Sequence, residues 1–263
     1  MFLIAPQSFG KTVFCGTAPN AIFLTTDPEG TISARQMGSD AEEWRIQNWT
    51  DLNNAYRWLR DEGIQSEGYK WLIIDNITEA QRMGMWESMV ITKRNSNAPS
   101  KLDEWVPTQA DYQRSQNMIL KFALQINDLP INVIYTSHIK GMEDEEGEPV
   151  FSAAIHGQKG ALSNQIVGYS NITAMGELIP GKNPGDDEVR RFWFSAHGAY
   201  RGKDRFVALG RYQDNLTVPK MMEIIGNRKP VARKSSAAPS PAPAATSTRR
   251  PIPPKRRAVS AKA

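Results

Sequence analysis

Short apolar runs of strand length alternate with amphipathic stretches through the first half of this chain, and that alternation constrains the fold more than any other feature. The runs are MFLI (1–4), AIFLTT (21–26), WRIQNW (44–49), WLIID (71–75) and INVIYTS (131–137). Apolar stretches this short, mostly ended by polar or turn residues, read as strands buried on both faces. Between them, residues 51–63 put Leu52, Ala55, Tyr56 and Leu59 on one helical face, with Asp51 suited to the first turn and Gly63 to the stop. Residues 109–127 repeat the pattern with Ile119, Phe122, Ala123 and Ile126, ahead of Asp128 and Pro130. Strands alternating with such helices predict an α/β fold with a mainly parallel sheet covered on both faces. After Ser137 the pattern changes. EDEEGE reads as an acidic hairpin tip, and NITAMGEL (171–178), RRFWFSA (190–196) and RFVALG (205–210) read as strands extending the sheet in antiparallel fashion.

The first run leads directly into Ala5-Pro6-Gln7-Ser8-Phe9-Gly10-Lys11-Thr12, an Ala-x-x-x-x-Gly-Lys-Thr pattern followed by a short helix candidate, TVFCGTA. A nucleoside triphosphate site needs backbone N–H groups converging on phosphate, a glycine that lets the chain approach closely, a lysine for the terminal phosphates and a hydroxyl for Mg2+. Gly10, Lys11 and Thr12 supply the last three. Ala5 replaces the usual first glycine, a tolerable change if its φ stays negative.

A P-loop calls for an acidic metal partner at the end of another buried strand, and WLIIDNIT offers Asp75. The competing role for Asp75 is to cap the helix that starts near Ile77. The next residue is Asn76 and not glutamate, so a water-orienting base has to come from a different strand end. Asp27 and Glu29, after the second strand, are the candidates; a polar turn built around Asp27-Pro28 is the alternative for either.

One cysteine, Cys15, excludes an internal disulfide and a Cys-rich metal centre, which favours a reducing compartment such as the cytoplasm. The lack of an apolar run of about 18 residues argues against a membrane-spanning helix. The formal charge of +4 conceals an asymmetry: ten of the 32 Lys and Arg lie in residues 228–263, which have no Asp or Glu, leaving 22 basic against 28 acidic residues before them. With seven prolines and few large apolar residues, that tail is expected to be disordered. The domain boundary is therefore placed at 226, giving a folded domain over 1–226 and a basic Pro/Ala/Ser-rich tail over 227–263. Such a tail suits salt-sensitive attraction to nucleic acid or docking to a protein.

Taken in order, the P-loop on the first strand, the acidic end of the second, the apolar strand ending in Asp75 and the later strand ending near His138 resemble the RecA-type ATPase core. LTTDPEG, WLIIDNITEAQR, VIYTSHIK and GKDRF are similar to the short RecA-like ATPases of bacteriophages, a group that includes single-strand annealing and recombination proteins. The likeness covers most of residues 1–226. It implies a Mg2+-dependent ATPase that binds single-stranded DNA in phage recombination, annealing or repair, in the host cytoplasm. It places the base at Asp27, with Glu29 as the substitute, and makes His138 the γ-phosphate sensor, where a surface histidine at a strand end is the plainer role. Lys203 and Arg205 match a pair that reaches into a neighbouring subunit's nucleotide; a basic hairpin turn is the alternative. The same likeness implies a homo-oligomeric ring or filament, with a single-strand binding protein or another recombination protein as a further partner. DNA-binding loops would span 84–107, with Lys93, Arg94, Lys101 and Trp105, and 139–159, with Lys140, His156 and Lys159. Five acidic residues in the second loop oppose phosphate unless its tip points away. A nucleotide-holding module with little or no hydrolysis and a small helicase motor of the RecA or DnaB kind are the other readings.

Overall fold

The structure, a computed structural model, describes residues 1–228 other than 145, 158, 159, 182 and 184–186. The chain starts with β1 (Phe2–Ile4), and a loop leads to α1 (Lys11–Cys15). Next come β2 (Ala21–Thr25), α2 (Ile32–Gln36), β3 (Glu42–Arg45) and α3 (Trp49–Trp58), which runs through a π turn (Leu59–Gly63) into α4 (Ile64–Ser66). Then follow β4 (Trp71–Asp75), α5 (Ile77–Asn95), a 3-10 turn (Pro99–Lys101), α6 (Gln109–Asn127) and β5 (Asn132–Ser137). A hairpin of β6 (Ile139–Glu143) and β7 (Pro149–Ala153) precedes α7 (Ala161–Gly168) and β8 (Ile172–Ile179). The last elements are β9 (Val189–Trp193), β10 (Ala196–His197), β11 (Tyr200–Arg201), β12 (Lys203–Asp204), β13 (Tyr212–Asp214) and α8 (Val218–Gly226).

Among the described residues nine strands form the main sheet, in the order β13-β9-β8-β1-β5-β4-β2-β3, with β12 also paired to β8. From β8 to β3 the strands are parallel, and β9, β12 and β13 add to it in antiparallel fashion. This is the α/β architecture that the alternating runs predict. Strand alternation divides the core. Phe2, Ile4, Ile22, Leu24, Leu72, Ile74, Tyr135 and Met175 face α3, α5, α6 and α7; Leu3, Phe23, Ile73, Ile134, Ala174 and Phe192 face α1 and α8. The inner strands β1, β2 and β4 are buried along their whole length because each side of the sheet carries a helical layer, whereas the edge strand β3 is polar.

Several sequence expectations need correction. The run 44–49 does not continue as a strand, because Asn48 accepts a hydrogen bond from the Asp51 amide at 2.9 Å and caps α3. Gly63 does not stop that helix; buried Leu59 and the packed Ile64 carry the apolar stripe onward to Ser66. Residues 205–210 turn instead of extending, since Asp204 accepts the amides of Phe206, Ala208 and Leu209 and Val207 adopts a φ of 51°. Residues 84–95 of the first expected DNA loop belong to α5, whose N-cap, Asn76, and buried Ile77, Ala80 and Met83 specify a long helix. Only 96–107 of that region connects helices, and within it Pro99–Lys101 is a 3-10 turn. The 139–159 segment begins as the β6–β7 hairpin, with Glu143, Asp144, Glu146 and Glu148 around its tip, and Glu145 and Lys159 lie outside the described residues. Most of the basic tail, from residue 229 onward, also lies outside them.

Candidate nucleotide-binding site

β1 sits inside the sheet, and its last residue, Ile4, is level with Ser137 of β5 and Met175 of β8. The loop from Ala5 therefore emerges at the carboxyl edge of the parallel strands, where ligands of such sheets collect. Ala5 is fully buried, its amide donates to the Ser137 carbonyl at 3.2 Å, and its φ is not positive, so the methyl group fits. The turn is made at Ser8 (φ 64°) and Gly10 (φ 87°). Gly10 needs this left-handed conformation to bring the chain round to α1, and a β-carbon there would be strained.

Lys11 is buried, and its Nζ donates to the carbonyls of Ala5 at 3.1 Å and Pro6 at 2.8 Å, which places the ammonium over the loop. Burial lowers its pKa from the usual lysine value, opposed by the charge of Asp75. The Cys15 thiol is pushed well up, by burial first and by Asp75 second, so it stays a neutral thiol packed under the loop.

Asp75 ends β4, one strand away from β1, and is 8% exposed. Its Oδ2 accepts from Thr12 Oγ1 at 2.6 Å and its Oδ1 accepts from Thr136 Oγ1 at 2.6 Å, so a single carboxylate ties the P-loop helix to β5. The helix-capping alternative is excluded, because Asn76 takes that role by accepting the Glu79 amide at 2.9 Å. Thr26 fixes the backbone after Asp75: its amide donates to the Asp75 carbonyl at 2.9 Å, and its Oγ1 accepts the Asn76 amide at 3.3 Å. The Asp75–Asn76 peptide is cis. Thr12 and Asp75 are hard oxygen donors held side by side, which suits Mg2+, an ion bound through one or two carboxylates with phosphate oxygens and water. Among the described residues no group of three or more His, Cys, Asp or Glu forms an all-protein metal cage.

Thr25 is paired with Asp75, so the turn carrying Asp27 and Glu29 starts beside the metal-ligand candidate. Both carboxylates are exposed, and Asp27 Oδ1 accepts the Glu29 amide at 3.2 Å. Thus Asp27 shapes the turn that Glu29 extends from. His138 follows β5 at the same edge. Its Nδ1 is buried without a hydrogen-bond partner, and burial, then the Lys11 charge, push its pKa below the usual value against Glu79 and Asp75. The ring is neutral near pH 7 and lies in the field of Lys11.

Lys203 and Arg205 are not brought to their own P-loop. Lys203 pairs with Thr173, near the start of β8, and its Nζ donates to the carbonyls of Val167 and Gly168 at 3.4 and 3.1 Å. Arg205 donates to Asn171 Oδ1 and the Gly168 carbonyl at 3.3 and 3.2 Å. Within one protomer both satisfy the carboxyl end of α7.

Of the other candidates, Lys93 and Arg94 are on the last turn of α5, and Lys93 pairs with Glu104 at 3.3 Å. Lys101 ends the 3-10 turn, Trp105 is 82% exposed, and Lys140 is exposed on β6. Lys93 and Trp105, with Trp86 and Val106, line an apolar groove of about 600 Å³ away from the P-loop. A second pocket of about 410 Å³ is bordered by Pro107 from the first expected DNA loop and His156 from the second, with Arg82 and Tyr112. Gln81 clamps His156 there, donating to its carbonyl at 2.7 Å and accepting its amide at 2.6 Å.

Reading the sequence missed Thr136, Thr26, Gln81 and Arg190, whose Nε donates to the Phe9 carbonyl of the P-loop at 2.9 Å. Thr136 was detectable as a polar residue inside an apolar strand run. The other three act through pairings between distant segments, which leave no local pattern.

No helix among the described residues is long and apolar enough to cross a membrane. No curated protein matches the chain at a significant level. The sequence profile described as the AAA domain matches residues 1–206, most of the chain and every part of the site from Ala5 to His138. That match over most of the chain, with a buried lysine over a P-loop whose threonine is bonded to the aspartate ending another strand, shows that the chain belongs to the AAA domain family of P-loop nucleotide-binding ATPases.

Proposed function

We propose that this ATPase is Mg2+-dependent, binds single-stranded DNA and uses ATP turnover to change its hold on that DNA, in the manner of the short RecA-like ATPases of bacteriophages. The carrying observation is the Thr12–Asp75–Thr136 hydrogen-bonded chain, with Lys11 buried over the loop. Lys11 and the loop amides would hold the terminal phosphates, and Thr12 and Asp75 would hold the metal. A metal held by Thr12 and Asp75 would supply positive charge against the charge that develops on the phosphates. Glu29, or Asp27 beside it, orients the attacking water.

The DNA part of the reading is supported by the route from Asp75 to the second pocket. Asn76 caps α5 directly after Asp75, and Gln81 on the second turn of α5 grips His156. Ser137, next to His138, accepts the Ala154 amide at 3.1 Å, so the hairpin is also tied to the phosphate-side strand end. A change at the γ-phosphate therefore has two short physical paths to the segments expected to touch DNA. Exposed Trp105 offers a ring for base stacking, and Arg82, Lys101 and Lys140 offer charge. In this reading the chain works as a homo-oligomer in the bacterial cytoplasm, with Lys203 and Arg205 presented to a neighbour, and the basic tail adds to DNA attraction.

The test is the steady-state ATP hydrolysis rate with and without single-stranded DNA, with Lys11→Ala as control. Turnover that rises with DNA and disappears in the variant supports the proposal. Nucleotide binding without Lys11-dependent turnover under either condition would leave a nucleotide-holding module in its place.

A further inference from the structure

The antiparallel strands outside the parallel core deliver one side chain to the outer rim of the P-loop. Arg190 on β9 donates from Nε to the Phe9 carbonyl at 2.9 Å, and a β-carbon on Gly10 would lie 2.8 Å from that same Nε. Nothing in the local sequence demands this contact, which joins residues 181 positions apart.

The contact is built from both sides. Two residues along the same strand face, Phe192 packs edge-on against Phe9 at 5.0 Å between ring centroids and against Phe14 of α1 at 4.9 Å. Phe192 pairs with Gly176, where any β-carbon would meet Ala5 at 2.6 Å and the Phe9 ring at 2.8 Å. The missing side chain at 176 therefore lets β8 carry the loop close against β9. On the outer side, Asn215 accepts the Arg190 amide at 3.0 Å through its side chain and donates its own amide to the Arg190 carbonyl at 2.8 Å. Both backbone groups of Arg190 are thus held, and the neighbouring Arg191 is locked to Asp214 by two bonds of 2.7 and 2.8 Å.

The Phe9 carbonyl and the Gly10 amide belong to one peptide unit, and in a trans peptide they point in opposite directions. A guanidinium on the oxygen fixes the plane, and so fixes where the Gly10 N–H points. It also polarises the unit, because a charged donor at the carbonyl strengthens the N–H at the other end as a donor. We infer that Arg190 is a positioning residue of the nucleotide site, acting through the Phe9–Gly10 peptide to aim and strengthen the Gly10 amide toward an anionic phosphate. The ligand class is a nucleoside di- or triphosphate, and the inference rests on the P-loop reading of residues 5–12. Because the bond is present before and during reaction, it contributes equally to ground-state and transition-state binding.

The test measures ADP affinity, ATP kinetics and thermal unfolding of the full chain with Arg190→Ala and Arg190→Lys. The guanidinium is exposed to water, so the expected loss of ADP affinity in Arg190→Ala is about tenfold, about 1.4 kcal/mol. KM for ATP should rise by about the same factor while kcat stays within about twofold, the pattern of lost uniform binding. Arg190→Lys, which keeps charge and one donor, should recover part of the affinity. Those three results together support the role, since a side chain that merely braced the fold would lower the unfolding temperature without a lysine-rescued change in ADP affinity. ADP affinity within twofold of wild type in both variants, with Lys11→Ala abolishing binding, would overturn the inference and leave the P-loop reading standing. Absence of ADP binding by the wild-type chain would overturn the P-loop reading itself.

Discussion

Thr136→Val isolates the hydrogen bond that fixes Asp75. Thr136 is fully buried, and its single hydroxyl proton goes to Asp75 Oδ1 at 2.6 Å, since the other acceptor in reach, the Ile74 carbonyl, is 3.4 Å away. Valine keeps the shape and removes the donor. Loss of a hydrogen bond to a charged, nearly buried group costs about 1.5–3 kcal/mol. Exchanging a buried hydroxyl for a methyl group returns about 0.8 kcal/mol of that. The net expectation is a destabilisation of about 1.5 kcal/mol, which at a urea slope of about 3 kcal/mol per molar lowers the unfolding midpoint by about 0.5 M. Tryptophan fluorescence during urea unfolding measures it. In an Asp75→Ala background no carboxylate remains to be served and only the methyl gain is left, so Thr136→Val should stabilise by about 0.8 kcal/mol, giving a coupling energy of about 2.3 kcal/mol in a double-mutant cycle. An equal cost of Thr136→Val in both backgrounds would refute the assignment of the hydroxyl to Asp75, and with it the view that β5 holds the metal-ligand candidate in place.

Three other outcomes are expected. Glu29→Gln or Asp27→Asn should lower kcat for ATP by at least about a hundredfold, the usual contribution of a general base; unchanged turnover in both would remove the base from this turn. Asp111 is 1% exposed, and although burial raises its pKa, hydrogen bonds from Thr92, the amide and hydroxyl of Thr108, and Ser88 outweigh that and hold it below 3.8. Its folded pKa is thus below the unfolded one, so its stabilisation is complete above 3.8 and is lost as pH falls through the folded value. Asp111→Asn should therefore shrink the difference in urea midpoint between about pH 5 and about pH 3, and an undiminished difference would show that Asp111 is not the group responsible. Lys203→Ala and Arg205→Ala should each depress ATP turnover while ADP still binds; normal hydrolysis by both would end the intersubunit role.

Local signals carried the core of the site. Gly10-Lys11-Thr12 after an apolar run and Asp75 after another are patterns that chain chemistry writes within a few residues, because a strand buried on both faces has to be apolar and its ligand-bearing end polar. Helix α6 was legible to the residue, since Thr108 and Asp111 form a capping box at its start and the apolar stripe sets its length. The failures share a cause. The strand expected at 44–49 and the one at 205–210 were apolar enough, and single side chains, Asn48 and Asp204, turned the chain through backbone hydrogen bonds that hydrophobic periodicity does not register. The first DNA loop is placed by the likeness over 84–107, and that placement overlooks the helix that Asn76 caps and that runs on to Asn95. Arg190, Gln81 and Thr26 were invisible for a different reason: each matters only through a partner 49 or more residues away, and that distance is settled by the topology of the sheet.

The central place of β1 has a consequence for the order in which the protein comes into being. Its three residues are held by β5 on one side and β8 on the other, so the strand that bears the P-loop pairs only with segments made more than 125 residues later. At ribosomal speeds of about 5–20 residues per second, roughly ten to thirty seconds separate the synthesis of Ile4 from that of Met175, its neighbour in the sheet. Until β5 is made the nascent chain has no strand to pair with Phe2, Leu3 and Ile4, all bound for the core, and until β8 is made one flank of β1 stays open. Nucleotide binding is then a late competence, and a fragment ending before Ile172 that still bound ADP with native affinity would contradict this order. A chain stalled at that point holds every residue of the P-loop, with β5 on one side of β1 and nothing yet on the other.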